Sequence, residues 1–231
     1  MLVLTATTSE ADAVLDALPP ADAVRIGPYD ALRSTGRGEV SVLAGGIGPA
    51  AAAAATATAL ALRPDLDLVL NVGIAGGFAA AGARVGDVVV ATESGFGDLG
   101  ADSPEGFLDS ASLDWGHVSV AAEPALVRAV RQSMTLAGLA VHTGVVLTLS
   151  TVTGTAARGV ELFAASQPVA EAMEGAAAGS VAARFSRAFL EVRTVSNLVG
   201  VRDRAGWDIP QATSMLTRAV SAMIPVLVIA P

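Results

Sequence analysis

The chain of 231 residues contains no cysteine. A thiol nucleophile, a disulfide and a thiolate-held metal are all excluded. Its 14 basic residues are all arginine, so a Schiff base and a phosphate-gripping P-loop lysine are excluded too. Histidine occurs only at His117 and His142, with no paired spacing, which argues against a histidine-rich metal centre. Chemistry falls to carboxylates, hydroxyls, amides, arginine and backbone N–H groups.

What is present is a globular composition, with 52% hydrophobic and 16% charged residues. The length fits one domain spanning 1–231 with a substantial core. A formal net charge of -8 argues against a nucleic-acid-tracking surface or a polybasic membrane patch. The N-terminus runs from Met1 directly into Leu2-Val3-Leu4 without a basic segment and does not read as a signal peptide. The most apolar stretch, Ala50 to Leu62, is mostly alanine and stops at Arg63-Pro64, too short to span a bilayer. A cytoplasmic protein is the expectation.

Short β-like runs alternate with helical ones. Strands are expected at 2–6, 40–44, 67–72, 85–92, 145–150 and 191–196. Helices are expected at 10–18, 50–62, 123–137 and 171–185, with a last one near Pro210 running to about Ile224. This alternation predicts an α/β fold: a mostly parallel or mixed sheet covered on both faces. Ligands in such sheets bind beyond the carboxyl ends of strands. The stretch 94–115, rich in Gly, Asp and Ser, reads as a long mobile loop.

Two short segments stand out. Met173-Glu174-Gly175 heads an alanine-rich stretch, and Val195-Ser196-Asn197 ends a β-like run. A carboxylate accepts paired hydrogen bonds from a vicinal diol, and an amide reads a purine edge with a donor and an acceptor. Together they suggest a nucleoside, with its sugar on Glu174 and its base on Asn197. The bland readings are a helix-start acid and a turn asparagine. Gly45-Gly46-Ile47-Gly48 reads as a βα turn able to hold an anion or water, or simply to let a helix pack. In Asn71-Val72-Gly73-Ile74-Ala75-Gly76-Gly77, a second such turn, three glycines let a flat ligand lie against the backbone. Glu10, after the first strand, reads alone as a helix-start acid. Arg202-Asp203-Arg204-Ala205-Gly206-Trp207 reads alone as a solvated loop with an internal ion pair. In a site, its arginines would grip a carboxylate while Trp207 covers a ring.

Taken jointly and in order, Glu10, Gly46-Ile47-Gly48, the 71–77 run, Val85-Gly86-Asp87, Met173-Glu174-Gly175 and Arg193-Thr194-Val195-Ser196-Asn197 resemble the purine nucleoside phosphorylase and nucleosidase superfamily. The nearest branch looks like the methylthioadenosine/S-adenosylhomocysteine nucleosidases and their relatives, the futalosine hydrolases. The resemblance implies a three-layer α/β/α fold around a central mixed sheet, and cleavage of the N-glycosidic bond of a purine nucleoside. It implies three catalytic residues: Glu10 activating water, Glu174 holding the ribose hydroxyls, and Asn197 at the base. It implies substrate contacts at Ile47, Ile74, Ala75 and Gly76, at Val152 and Thr153 over the base, at Met173 under the sugar, and at Arg202, Arg204 and Trp207. A homodimer is implied, with the 94–115 stretch a contributor to a neighbour's site.

Two departures refine the expectation. Asn71 stands where the hexameric phosphorylases carry a phosphate-binding arginine, which favours water as the nucleophile. Asn197 stands where the adenine-specific nucleosidases carry aspartate. An amide donates to N7 or O6 of a 6-oxopurine, so hypoxanthine is the expected base. The run from Ser196 to Trp207 looks like the futalosine hydrolase pattern, with Arg202, Arg204 and Trp207 suited to a terminal benzoate. The expected reaction is hydrolysis of futalosine to hypoxanthine and dehypoxanthinyl futalosine in a menaquinone route, and the resemblance implies no metal and no redox cofactor. Alternatives are an adenine-specific nucleosidase, a true phosphorylase, and a non-catalytic nucleoside-binding protein.

Overall fold

Alternation along the first strand sets the layers. Val3 points to one face of the sheet, and Leu2 and Leu4 point to the other. The next core strand repeats this with Leu68, Leu70 and Val72 against Val69. Each face is apolar, so each is covered by helices, which gives three layers. The structure is a computed structural model describing residues 1–36, 38–115 and 118–228. His117 lies outside the described residues.

The strands are β1 (Leu2–Thr5), β2 (Ala21–Ile26), β3 (Tyr29–Ser34), β4 (Val40–Ala44), β5 (Leu68–Gly77), β6 (Val88–Phe96), β7 (Gly100–Ser103), β8 (Gly106–Asp109), β9 (Ser119–Ala121), β10 (Val141–Thr148), β11 (Ala170–Ala172) and β12 (Ala188–Leu198). The helices are α1 (Thr8–Leu15), α2 (Pro49–Leu62), α3 (Pro124–Leu136), α4 (Ala156–Ser166), α5 (Gly175–Arg184) and α6 (Ile209–Leu227). Helices α1, α3 and α6 bury Val14, Val130, Met134 and Leu216 on one face. Helices α2 and α5 bury Ala55, Ala59, Ala178 and Ala182 on the other.

The main sheet runs β11-β10-β6-β12-β5-β1-β4-β3-β2, with β9 added beside β6. It is mixed: β12 is parallel to β5 but antiparallel to β6, and β2–β3–β4 is an antiparallel meander. Strand β11 pairs with both β10 and the end of β5. That second pairing closes five strands into a ring whose rim carries the candidate residues. Among the described residues no helix is long and apolar enough to cross a membrane.

Several expected elements differ. The run Asn71–Gly77 is not a turn: β5 continues through it, because β12 pairs along one side and β11 docks on its end. The stretch 94–115 is not a plain loop: β6 extends to Phe96, and β7 and β8 form a hairpin. The expected helix at 171–185 begins only at Gly175, because Ala170–Ala172 is a strand. Glu174 is therefore the residue before the helix, not within it. The β2–β3 hairpin was not anticipated. Its burial alternates irregularly and Gly27-Pro28 punctuates it.

Candidate active site

Glu10 lies in the first turn of α1. The Thr7 hydroxyl accepts from the Glu10 N–H, and Glu10 Oε2 accepts from the Thr7 N–H at 3.0 Å. This reciprocal box starts the helix. The same oxygen accepts from the Ala6 N–H at 3.0 Å and from the Thr7 hydroxyl at 3.1 Å. The other oxygen crosses to the sheet and accepts from the Ile74 N–H at 2.9 Å. Glycine at 73 permits that crossing, since a Cβ there would collide with Glu10 Oε1 and lie 2.8 Å from Arg193 Nη1. Glu10 is thus a helix-start acid whose second oxygen reaches into the site.

Arg193 and Glu191 are fully buried and share one face of β12, two residues apart. Across the ladder they oppose Gly73 and Asn71 on β5. The missing side chain at 73 lets the guanidinium lie over β5. Arg193 Nε donates to Glu191 Oε1 at 2.8 Å, and Nη2 donates to Asn71 Oδ1. Nη2 also stands 3.4 Å from Glu174 Oε2. Burial works against the arginine cation. Glu191, Glu174 and Glu10 together outweigh it and hold the pKa above the ordinary arginine value. The Glu191 carboxyl is pushed up by burial, against the opposing pull of Arg193 and of the Ser94 hydroxyl that donates to it. Asn71 donates to the Leu4 carbonyl at 3.0 Å. It braces Arg193 and offers no anion-binding group.

Glu174 is buried at the head of α5. It does not cap its own helix. Thr148 Oγ1 on β10 accepts from the Ala176 N–H at 2.8 Å instead. That frees the Glu174 carboxylate to accept from the Gly48 N–H at 3.0 Å and, more weakly, from the Met173 N–H at 3.3 Å. Gly48 has a positive φ of 95°, a conformation that favours glycine, so the 45–48 turn presents its N–H to Glu174. Ile47, in the same turn, is 64% exposed, and Val152 is 38% exposed. Met173 is half-buried beside Glu174.

The other end is a row across three strands. Asn197 on β12 and Glu171 on β11 both oppose Gly76 on β5. A β-bulge at Ser196 shifts the register, so Ser196 has no partner and Asn197 is brought to Gly76. Asn197 Nδ2 donates to the Leu198 carbonyl at 3.2 Å, and Oδ1 accepts from the Ser196 hydroxyl at 2.9 Å. Among the described residues, the second Asn197 amide hydrogen has no acceptor. The same Ser196 hydroxyl hydrogen is shared with the Ala75 carbonyl, 3.2 Å away. Glu171 accepts from the Thr153 N–H at 2.8 Å and from its hydroxyl at 2.6 Å. Burial pushes its carboxyl above the usual range, against those two bonds and Arg158.

The 202–207 loop is tied to this end by the Arg202 N–H donating to the Gly154 carbonyl at 3.1 Å. Both guanidinium groups lie against the Trp207 ring, at 5.0 Å for Arg202 and 5.8 Å for Arg204. Asp203 caps the following turn through the Ala205 N–H. The internal ion pair expected of a solvated loop is replaced by cation–π stacking.

The structure therefore gathers Glu10, Ile74, Met173 and Glu174 around Arg193, and Asn197, Gly76 and Thr153 around Glu171. Sequence reasoning missed Arg193 as a site residue, and missed Glu171, Glu191 and Ser94 altogether. A signal existed for two of them: Leu190-Glu191-Val192-Arg193-Thr194-Val195 places two charges on one face of an otherwise apolar strand. Buried charges in such a place need partners.

A family model described as the phosphorylase superfamily matches residues 2–228. The chain is 44% identical to a futalosine hydrolase of Streptomyces coelicolor, over 98% of this chain and 96% of that protein. It is 42% identical to a futalosine hydrolase of Acidothermus cellulolyticus, over 96% and 89%. The fold is similar to the native structure of futalosine hydrolase of Helicobacter pylori, with a TM-score of 0.85 at 17% identity and 97% of each chain covered. With the whole described chain in register with these relatives, and its rim residues on the strand ends, the protein is a member of the phosphorylase superfamily.

Proposed function

We propose that this protein hydrolyses the N-glycosidic bond of futalosine, releasing hypoxanthine and dehypoxanthinyl futalosine in a menaquinone route. Its similarity to two futalosine hydrolases at 42–44% identity over nearly the full length carries the choice of substrate. The site supplies the chemistry. Glu174 Oε1 keeps a lone pair for a ribose hydroxyl after accepting from Gly48, while Oε2 faces Met173 N–H and Arg193. Glu10 Oε1, which packs over Gly73 beside Arg193 Nη1, takes the proton of the water that attacks the anomeric carbon. The transition state is oxocarbenium-like. The electron pair of the breaking bond passes into the purine, the Asn197 amide donates a hydrogen bond to the charge at N7 or O6, and the departing anion takes a proton from solvent to become hypoxanthine. Met173 packs under the sugar, Val152 and Thr153 cover the base, and Ile47 flanks the sugar's 5′ side. Arg202 and Arg204, held on Trp207, offer their donor forks to the benzoate.

The domain comprises residues 1–231 and works in the cytoplasm as a homodimer. Exposed Leu99, Phe107, Leu108 and Trp115, on and beside the β7–β8 hairpin, support that assembly. Chromatography of products from futalosine, with and without phosphate, tests the reaction. Hypoxanthine is expected at equal rates in both. A requirement for phosphate would make the protein a phosphorylase, and preference for methylthioadenosine would make it an adenine nucleosidase.

A further inference from the structure

Arg193 has more charge partners than charge balance requires. Glu10, Glu174 and Glu191 are all buried, and all three act on its guanidinium. Glu10 and Glu174 alone already outnumber one cation. Glu191 supplies something different. Its Oε1 accepts from Arg193 Nε at 2.8 Å, whereas Nη2 donates to Asn71 Oδ1 and stands 3.4 Å from Glu174 Oε2. Nη1 lies over Gly73, where Glu10 Oε1 also packs. A guanidinium is planar, with its donors in a fixed fork. Held at Nη2 alone it can pivot. Held at Nε as well, its plane and its remaining edge are set.

Glu191 is itself immobilised. It is fully buried on β12, two residues before Arg193 and on the same face. The Ser94 hydroxyl on β6 donates to its Oε2. Its carboxylate also packs on Gly175, the first residue of α5, where a Cβ would overlap it. Gly175 directly follows Glu174. The carboxylate is therefore wedged between the arginine and the helix start that carries the sugar-binding acid. Burial pushes its carboxyl up against the pull of Arg193, so the surroundings oppose a charge at this place.

We propose that Glu191 is a positioning residue for the hydrolysis: its Oε1 holds Arg193 at Nε, so that the guanidinium stays between Glu174 and Glu10. This rests on the roles proposed above for those two carboxylates. The acceptor atom, and not the charge, is the part that positions, and two variants separate the two. Glu191→Gln keeps an oxygen for Nε, while its NH2 turns to Ser94 Oγ, which can accept as well as donate. Glu191→Asp keeps the charge but is one methylene shorter, which draws the acceptor back from Nε by roughly 1 Å.

Steady-state hydrolysis of futalosine by wild type and both variants, with kcat and KM resolved, tests this, and calorimetry follows hypoxanthine binding. Glu191→Gln is expected to keep kcat within about threefold of wild type. Glu191→Asp is expected to lose roughly tenfold to a hundredfold in kcat, with KM within about threefold, as for a displacement of about 1 Å in groups that support the chemistry. The base meets Asn197 and not Arg193, so hypoxanthine is expected to bind both variants as it binds wild type. A tenfold loss of kcat in folded Glu191→Gln, or wild-type kcat in Glu191→Asp, makes Glu191 a charge partner or a bystander and overturns the proposal. Loss of hypoxanthine binding in folded Glu191→Asp overturns it too, since the whole site is then disturbed. Should one variant not fold, the other decides alone; failure of both to fold would make Glu191 a folding residue and overturn its positioning role. Failure of the wild type to release hypoxanthine from futalosine would instead remove the nucleosidase reading beneath it.

Discussion

Glu10 shows how one side chain serves structure and chemistry at once. Oε2 completes a helix cap, and Oε1 reaches Ile74 and the space over Gly73. Glu10→Gln replaces one oxygen with an NH2 that cannot accept, and kcat is expected to fall by roughly 10²–10⁴-fold, as for loss of a general base. Gly73→Ala is expected to give a similar loss, because the new methyl expels the carboxylate from β5. Steady-state kinetics on folded variants checks both, and near-normal kcat in either would remove Glu10 as the base. At this scale the sequence was legible where order along the chain mattered: Glu10, Glu174 and Asn197 all sit at the rim. It was silent on Glu171, because a single Glu in Val169-Ala170-Glu171-Ala172 carries no sign that Thr153 and Gly76 will meet it. Those contacts arise from strand pairing.

Elements were legible by type where apolar periodicity was long, as in α3 and α6, and misread where glycine stood in for a side chain. Three glycines in 73–77 read as a turn, yet they are where β5 must let Glu10, Arg193, Asn197 and Glu171 approach its backbone. Gly175, the first residue of α5, is a further case. A Cβ there would overlap the carboxylate of Glu191, so the helix start and the buried acid of β12 are mutually dependent. Gly175→Ala is expected to destabilise by about 1–3 kcal/mol or more through overpacking. Combined with Glu191→Ala, which vacates the space, the two changes should cost less than their sum by roughly 0.5–3 kcal/mol. Urea unfolding of the two single variants and the double variant measures this coupling, and simple additivity would show that α5 and Glu191 yield to each other without strain.

The whole molecule carries a net charge of -8, with arginine its only strong cation. Arginine stays charged throughout the usual range, so the pH dependence of folding below neutrality falls largely to carboxyls. Overall fold class was legible from the strand–helix alternation alone. The closure of five strands through β11 was not, because a three-residue strand leaves no periodic signature. That closure is what buries Glu171, and burial raises its carboxyl pKa against Thr153 and Arg158. A carboxyl raised on folding keeps its proton in the native state where the unfolded chain has already lost it. The native state then binds more protons, and stability falls as pH rises from about the ordinary glutamate pKa of ~4.3 through the raised value, at about 1.4 kcal/mol for each unit of the shift. In Glu171→Gln this dependence is absent. Urea midpoints for wild type and variant should therefore be closest at acid pH and separate as pH rises toward neutrality, with the variant gaining relative to the wild type. A gap that stayed constant between about pH 4 and 8 would mean that Glu171 ionises in the folded protein as readily as in the unfolded chain, and that closing the ring does not desolvate it.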